Sequence, residues 1–277
     1  MINLISPEEL KQRLNSPSAR NLVLMDCRFH LIQKTLGFEQ YQQGHIPGAY
    51  SVNLDNHLSS PTAAHGGRHP LPSAESFTDT MNNMGVTSQT LIVVYDDSRM
   101  AYAARAWWLL RYFGHQQVVI LDGGFSAWKT IGGALDRRTP SARKGNFIAQ
   151  VQTGWVVGRE EILTRGKSIS LIDSREAKRY AGIEEPIDTI AGHIPGALNY
   201  FWQDVTDEQG KVKPISWHAL HWQDLTSKRD LVVYCGSGVT ACVNILSLAL
   251  CGIEAKLYPG SWSDWCSYEQ SDYTTVD

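Results

Sequence analysis

The chain has 277 residues, enough for two average domains, and is 43% hydrophobic and 19% charged, with 25 basic against 28 acidic side chains. That near balance excludes a nucleic acid or a membrane surface as the principal partner, and no apolar run approaches the roughly 18 residues of a membrane span. The opening MINLISPEEL carries no basic stretch ahead of an apolar core, so a cytoplasmic location is expected. Five cysteines without a CxxC pair argue against a zinc knuckle or dithiol motif, so reduced thiols and no metal are expected.

In chain order, Ser6, Pro7 and Glu9 have the pattern of an N-cap, a first-turn proline and a capping-box glutamate, predicting a helix. Leu22–Met25 is a short apolar run that reads as a strand, followed by Asp26 and Arg28 and then the turn GHIPGA (44–49). Strands are predicted at Leu91–Tyr95 and Val118–Leu121, with apolar residues at helical spacing over Ala101–Tyr112 between them. After a polar join near 133–152, the order repeats. Ser170–Ile172 is followed by Asp173 and Arg175, GHIPGA returns at 192–197, and strand Leu231–Tyr234 precedes a helix over Thr240–Cys251.

Four landmarks pair across the halves: LVLMDCR with ISLIDSR, GHIPGA with GHIPGA, LIVVYDDS with DLVVYCGS, and LDGGFSAW with YPGSWSDW. One plan of alternating strands and helices has been used twice, predicting an α/β fold in which each half is a mainly parallel sheet with helices on both faces. The first half is longer between its second and third landmarks, where SSPTAAHGGRHPLP is inserted. Asp26, Arg28, Asp173 and Arg175 occur in both halves and are read as structural holders of the strand ends. The tryptophan pairs 107 with 108 and 262 with 265 are assigned to core or domain interface.

The segment DLVVYCGSGVTACVNILSLALCG (230–252) carries the chemistry. Cys235 falls where a strand stops and a glycine-bearing turn leads into a helix, the place where open α/β sheets collect ligands and where a helix N-terminus favours a thiolate. Gly236 and Gly238 allow the turn to present successive N–H groups as an anion cradle, completed by Val239 and Thr240. Such a cradle suits phosphoryl or sulfur transfer. Cysteine phosphatases need an arginine six residues after the nucleophile, and that place is Ala241, so a phosphate would meet dipoles without a guanidinium fork.

The loop CGSGVTA resembles that of the 3-mercaptopyruvate sulfurtransferases, relatives of rhodanese. The two GHIPGA turns, the paired D-x-R motifs, RAWWLLRYFGH and YPGSWSDW are of the same family's kind. The resemblance implies two tandem rhodanese-like domains, 1–140 and 153–277, joined by a linker at 141–152. The first is inactive because Asp96 occupies the position of Cys235. It further implies a Cys235 persulfide formed from a small-molecule sulfur donor and passed to a thiophilic acceptor such as cyanide, a thiol or a thioredoxin, with no cofactor. Ser237 is expected to work with Asp55 (in SVNLD) and His69 (in RHPLP), and Arg179 to bind the donor's anionic end. Ile187 stands where the mercaptopyruvate enzymes carry a second carboxylate-binding arginine. The neutral loop points to 3-mercaptopyruvate as donor. Thiosulfate:cyanide sulfur transfer and a non-enzymatic persulfide carrier are the alternatives.

Overall fold

A computed structural model describes residues 4–226, 228 and 230–268. The chain divides into two compact units, one formed by residues 1–60, 72–152 and 206–212, the other by 61–71, 153–205 and 213–277. Part of the insertion predicted from the repeat, 61–71, thus belongs to the second unit.

In the first unit, five parallel strands lie in the order β1-β5-β4-β2-β3: β1 (Leu4–Ile5), β2 (Leu22–Asp26), β3 (Ala49–Ser51), β4 (Leu91–Tyr95) and β5 (Val118–Leu121). The second unit has four, in the order β7-β6-β8-β9: β6 (Ser170–Asp173), β7 (Leu198–Asn199), β8 (Leu231–Tyr234) and β9 (Lys256–Leu257). The expected parallel α/β architecture is borne out in both. β1, β3, β7 and β9 escaped the sequence because runs of two or three residues carry no readable alternation. The helices Ala103–Tyr112 and Ala241–Leu250 pack on the central strands of their units, each within two residues of the predicted bounds. Among the described residues no helix is long and apolar enough to cross a membrane.

The Ser6 side chain accepts from the Glu9 N–H as an N-cap should, but the Glu9 carboxylate pairs with Arg13 rather than closing a capping box, because a guanidinium one turn along is the stronger partner.

The repeated landmarks hold one another in the same way twice. Arg28 donates to Asp26 at 2.5–3.0 Å and to the carbonyl of Gly44, the first residue of GHIPGA, at 2.8 Å. Arg175 donates to Asp173 at 2.7–3.1 Å and to the carbonyl of Gly192 at 2.6 Å. The Tyr95 and Tyr234 hydroxyls accept from the N–H groups of Ile46 and Ile194. Each arginine also lies against the aromatic ring of the fourth landmark, Phe125 at 4.0 Å and Trp262 at 4.8 Å. Each of these buried ion pairs gains a further hydrogen bond to a backbone carbonyl, which offsets the cost of burying charge. Trp107 and Trp108 are buried in the first unit, and Trp262 and Trp265 sit in the second unit's core with Leu171, Val232 and Tyr258.

Candidate active site

In register, Asp26 stands beside Tyr95 and Asp173 beside Tyr234, so Asp96 and Cys235 begin equivalent loops at the carboxyl ends of β4 and β8. In the first unit the Asp96 carboxylate fills the loop. It accepts backbone N–H bonds from Ser98 (2.8 Å), Met100 (3.1 Å), Tyr102 (2.8 Å) and Ala103 (2.9 Å). Burial pushes its pKa up, and the four amides act in the opposite direction. This strand-to-helix loop is an anion cradle occupied by its own side chain.

The second-unit loop shares the first of the two left-handed residues of its counterpart, Arg99 and Met100, but not the second, and its helix begins one residue sooner after the strand. Gly238 has φ +72°, matching Arg99 at φ +55° on the repeat, and a Cβ on Gly238 would collide with the Pro259 carbonyl. Gly236 needs no left-handed backbone; its place is set by close approach, since a Cβ there would lie 3.0 Å from Arg68 Nη2 and 3.7 Å from both terminal nitrogens of Arg179. The fourth landmark stitches the loop down. The Cys235 N–H donates to Ser261 Oγ (3.1 Å), the Cys235 carbonyl accepts from Trp262 N–H, and the Gly236 carbonyl accepts from Ser263 N–H. Val239 is buried, and Thr240 occupies the N-cap position of the helix Ala241–Leu250, without a side-chain cap bond.

Cys235 is 2% exposed, so its thiol is buried rather than open to solvent. Guanidinium groups stand over the next residue and the 259–263 turn closes the loop from the other side. Ser237 and His69 are also buried, and His69 Nδ1 is hydrogen-bonded to Ser237 Oγ at 2.8 Å. Two of the expected partners therefore meet, although 168 residues separate them in the chain. Asp55 belongs to the first unit, in the short helix Leu54–His57, where its carboxylate pairs with Lys34 at 2.8 Å. Cys242 is buried and donates through sulfur to the Gly238 carbonyl, and all five cysteines are free thiols.

Arg179 is held rather than free. It donates to Glu185 Oε1 at 2.7 Å and to Asp188 Oδ2 at 3.0 Å, while Glu185 also takes bonds from Arg175 and from the N–H groups of Ile187 and Asp188. Asp188 bridges onward to Arg68 through its other oxygen. Arg68, Asp188 and Ser261 were not among the residues expected at the site. The loop is neutral in sequence, but Arg68 and Arg179 stand at it, so the missing arginine at 241 does not by itself weigh against phosphoryl transfer. One signal for Ser261 was present. The repeat aligns it with Gly124, whose φ is +59°, so a serine at that place must adopt a left-handed backbone, and it does, at φ +57°.

The rhodanese-like domain model matches residues 6–131 and 160–268. The chain belongs to the rhodanese family. A probable 3-mercaptopyruvate sulfurtransferase of Pseudomonas aeruginosa is 37% identical over 99% of this chain and 98% of its own length. The 3-mercaptopyruvate sulfurtransferase of Rattus norvegicus is 34% identical over 98% of this chain and 94% of its own. A putative thiosulfate sulfurtransferase of Mycobacterium tuberculosis is 39% identical over 88% of this chain and 87% of its own. Among solved structures, the Escherichia coli 3-mercaptopyruvate sulfurtransferase SseA superposes with a TM-score of 0.82 at 30% identity, over 95% of this chain and all of that one. The family resemblance read from the motifs is borne out, and so are the two rhodanese-like domains.

Proposed function

We propose that this chain is a sulfurtransferase that takes sulfur from 3-mercaptopyruvate onto Cys235. The carrying observation is the occupied cradle of the first unit. A loop at this strand end holds a carboxylate with four amides there, and the second unit begins its loop at the equivalent strand end with a thiol at its head. Amides so placed favour an anionic sulfur, whether thiolate or persulfide.

In the first half-reaction the Cys235 thiolate attacks the donor's sulfur. The carbon–sulfur bond breaks with its electrons moving to carbon, and the enolate takes the proton that the donor thiol gives up, leaving pyruvate and a Cys235 persulfide. In this reading Ser237, hydrogen-bonded to His69, relays that proton, and Asp55 is the carboxylate that the family resemblance assigns to the same role. Arg179 holds the donor's carboxylate, and the backbone of Gly236, Gly238, Val239 and Thr240 lines the cradle. In the second half-reaction a thiolate, a thioredoxin or cyanide attacks the outer sulfur, and the Cys235 thiolate leaves. The chain needs no cofactor for either step, and a reducing cytoplasm supplies the acceptors.

The decisive test is mass spectrometry of the intact protein after 3-mercaptopyruvate treatment. The wild type gains one sulfur atom on Cys235, and Cys235→Ser gains none; a sulfur found elsewhere, or in both proteins, refutes the assignment. The Mycobacterium tuberculosis relative's name and the apolar Ile187 favour thiosulfate as a second reading, and a kcat/KM for thiosulfate above that for mercaptopyruvate would establish it. No turnover with either donor, together with sulfur loading by a cysteine desulfurase, would instead make the protein a carrier.

A further inference from the structure

Ile187, 49% exposed and apolar, leaves the donor's carboxylate with one arginine where the family resemblance expects two. We propose that Arg68 supplies the second cation, so that Arg68 and Arg179 each direct one N–H at the carboxylate of a 2-oxo acid donor above Gly236. This deepens the assignment of Cys235 as sulfur carrier and rests on it.

Arg68 lies in the 61–71 segment, which packs within the second unit. The segment is pinned where it meets the active loop: the Arg68 N–H donates to Ser263 Oγ, the Gly66 N–H donates to Asp264 Oδ1, and a Cβ on Gly67 would collide with the Gly260 carbonyl. Asp188 then sets the guanidinium, accepting from Arg68 Nη1 with one oxygen and from Arg179 Nη2 with the other. One carboxylate thus holds two cations side by side against their mutual repulsion. Among the described residues neither Arg68 Nη2 nor Arg179 Nη1 has a hydrogen-bond partner, and both point at Gly236, 3.0 and 3.7 Å from where its Cβ would be. Burial lowers the Arg68 pKa, and the neighbouring Cys235 acts in the opposite direction. Two guanidinium donors converging beside a nucleophile form a fork for a planar anion, and one contributed by each arginine reproduces the pairing that Ile187 removed.

The test compares 3-mercaptopyruvate with mercaptoacetone, in which an uncharged methyl group replaces the carboxylate. The ratio of their kcat/KM values measures recognition of the carboxylate. In Arg68→Gln this ratio is expected to fall about ten- to a hundredfold, the usual worth of one charged hydrogen-bond partner. In Arg68→Lys, which restores charge without the fork, part of the loss returns. Because each ratio is taken within one protein, a change in folded fraction cancels, and sulfur loading of Cys235 by mercaptoacetone reports an intact site. Wild-type turnover of both donors with an unchanged ratio in Arg68→Gln overturns the role of Arg68 and leaves Cys235 standing. No turnover of either donor by the wild type overturns both.

Discussion

Replacing Asp96 with alanine leaves four backbone N–H groups facing the space its carboxylate filled. These donors belong to Ser98, Met100, Tyr102 and Ala103, at 2.8–3.1 Å, and the side chain they surround is buried. A buried donor without a partner costs about 1–3 kcal/mol. A water molecule entering the vacated space satisfies some of the four, so the expected loss is about 3–5 kcal/mol. For a unit of this size that lowers its melting temperature by about 10 °C or more. The wild-type carboxylate works against its own desolvation, and the sign of the pH effect follows. Its pKa is raised above the ordinary 3.8, so between 3.8 and the raised value the folded chain binds a proton that the unfolded chain has lost. Wild-type stability contributed by this group is therefore fully present below 3.8 and declines as pH rises through the window, and Asp96→Asn removes that slope. Urea and thermal unfolding followed by tryptophan fluorescence, which senses Trp107, Trp108 and Trp128 in the first unit, measures both effects. An Asp96→Ala protein within about 1 kcal/mol of the wild type would refute the cradle as an anion-binding device.

Gly238→Ala forces a left-handed alanine against the Pro259 carbonyl, and at least about 2 kcal/mol of destabilisation is expected in chemical unfolding, with sulfur loading of Cys235 reduced alongside. Ser261 has a strained backbone, with Oγ accepting from the Cys235 N–H and donating to the Tyr258 carbonyl. Ser261→Gly should accordingly be more stable than Ser261→Ala by about 1–2 kcal/mol, reversing the usual order for these two residues; the normal order would show that Ser261 is unstrained. His115 and His218 are buried against carbonyl or hydroxyl partners, and burial lowers both pKa values below 6.5. On acidification the unfolded chain protonates first, so stability present above pH 6.5 is lost as pH falls toward the lowered values. Urea midpoints across about pH 7.5 to 5.5 should show the decline, and His218→Gln should flatten it. A decline that is equally steep in the variant would place its origin elsewhere.

The amino-acid sequence alone determined the α/β class, the twofold repeat and the position of Cys235 at a strand end. These follow from local pattern: apolar runs of strand length, helical spacing, and turns whose glycines sit at fixed offsets. The repeat also set Asp96 at the place of Cys235, though nothing in it showed that the carboxylate would fill the loop it heads. The partners of Cys235 were legible only in part. His69 and Ser237 came from the family resemblance, and the structure brings them to 2.8 Å. Arg68 gave no signal, because its meaning depends on which unit the 61–71 segment packs with, and a linear pattern carries no information about packing between distant segments. The burial of the Cys235 thiol was hidden for the same reason: residues 68, 179 and 261–263 reach the loop at Cys235 and Gly236 only in the folded chain, and tertiary hydrogen bonds hold them there. Propensity and periodicity act over a few residues and so wrote the elements into the sequence, whereas the electrostatics of the site come from charges that meet only when the chain has folded.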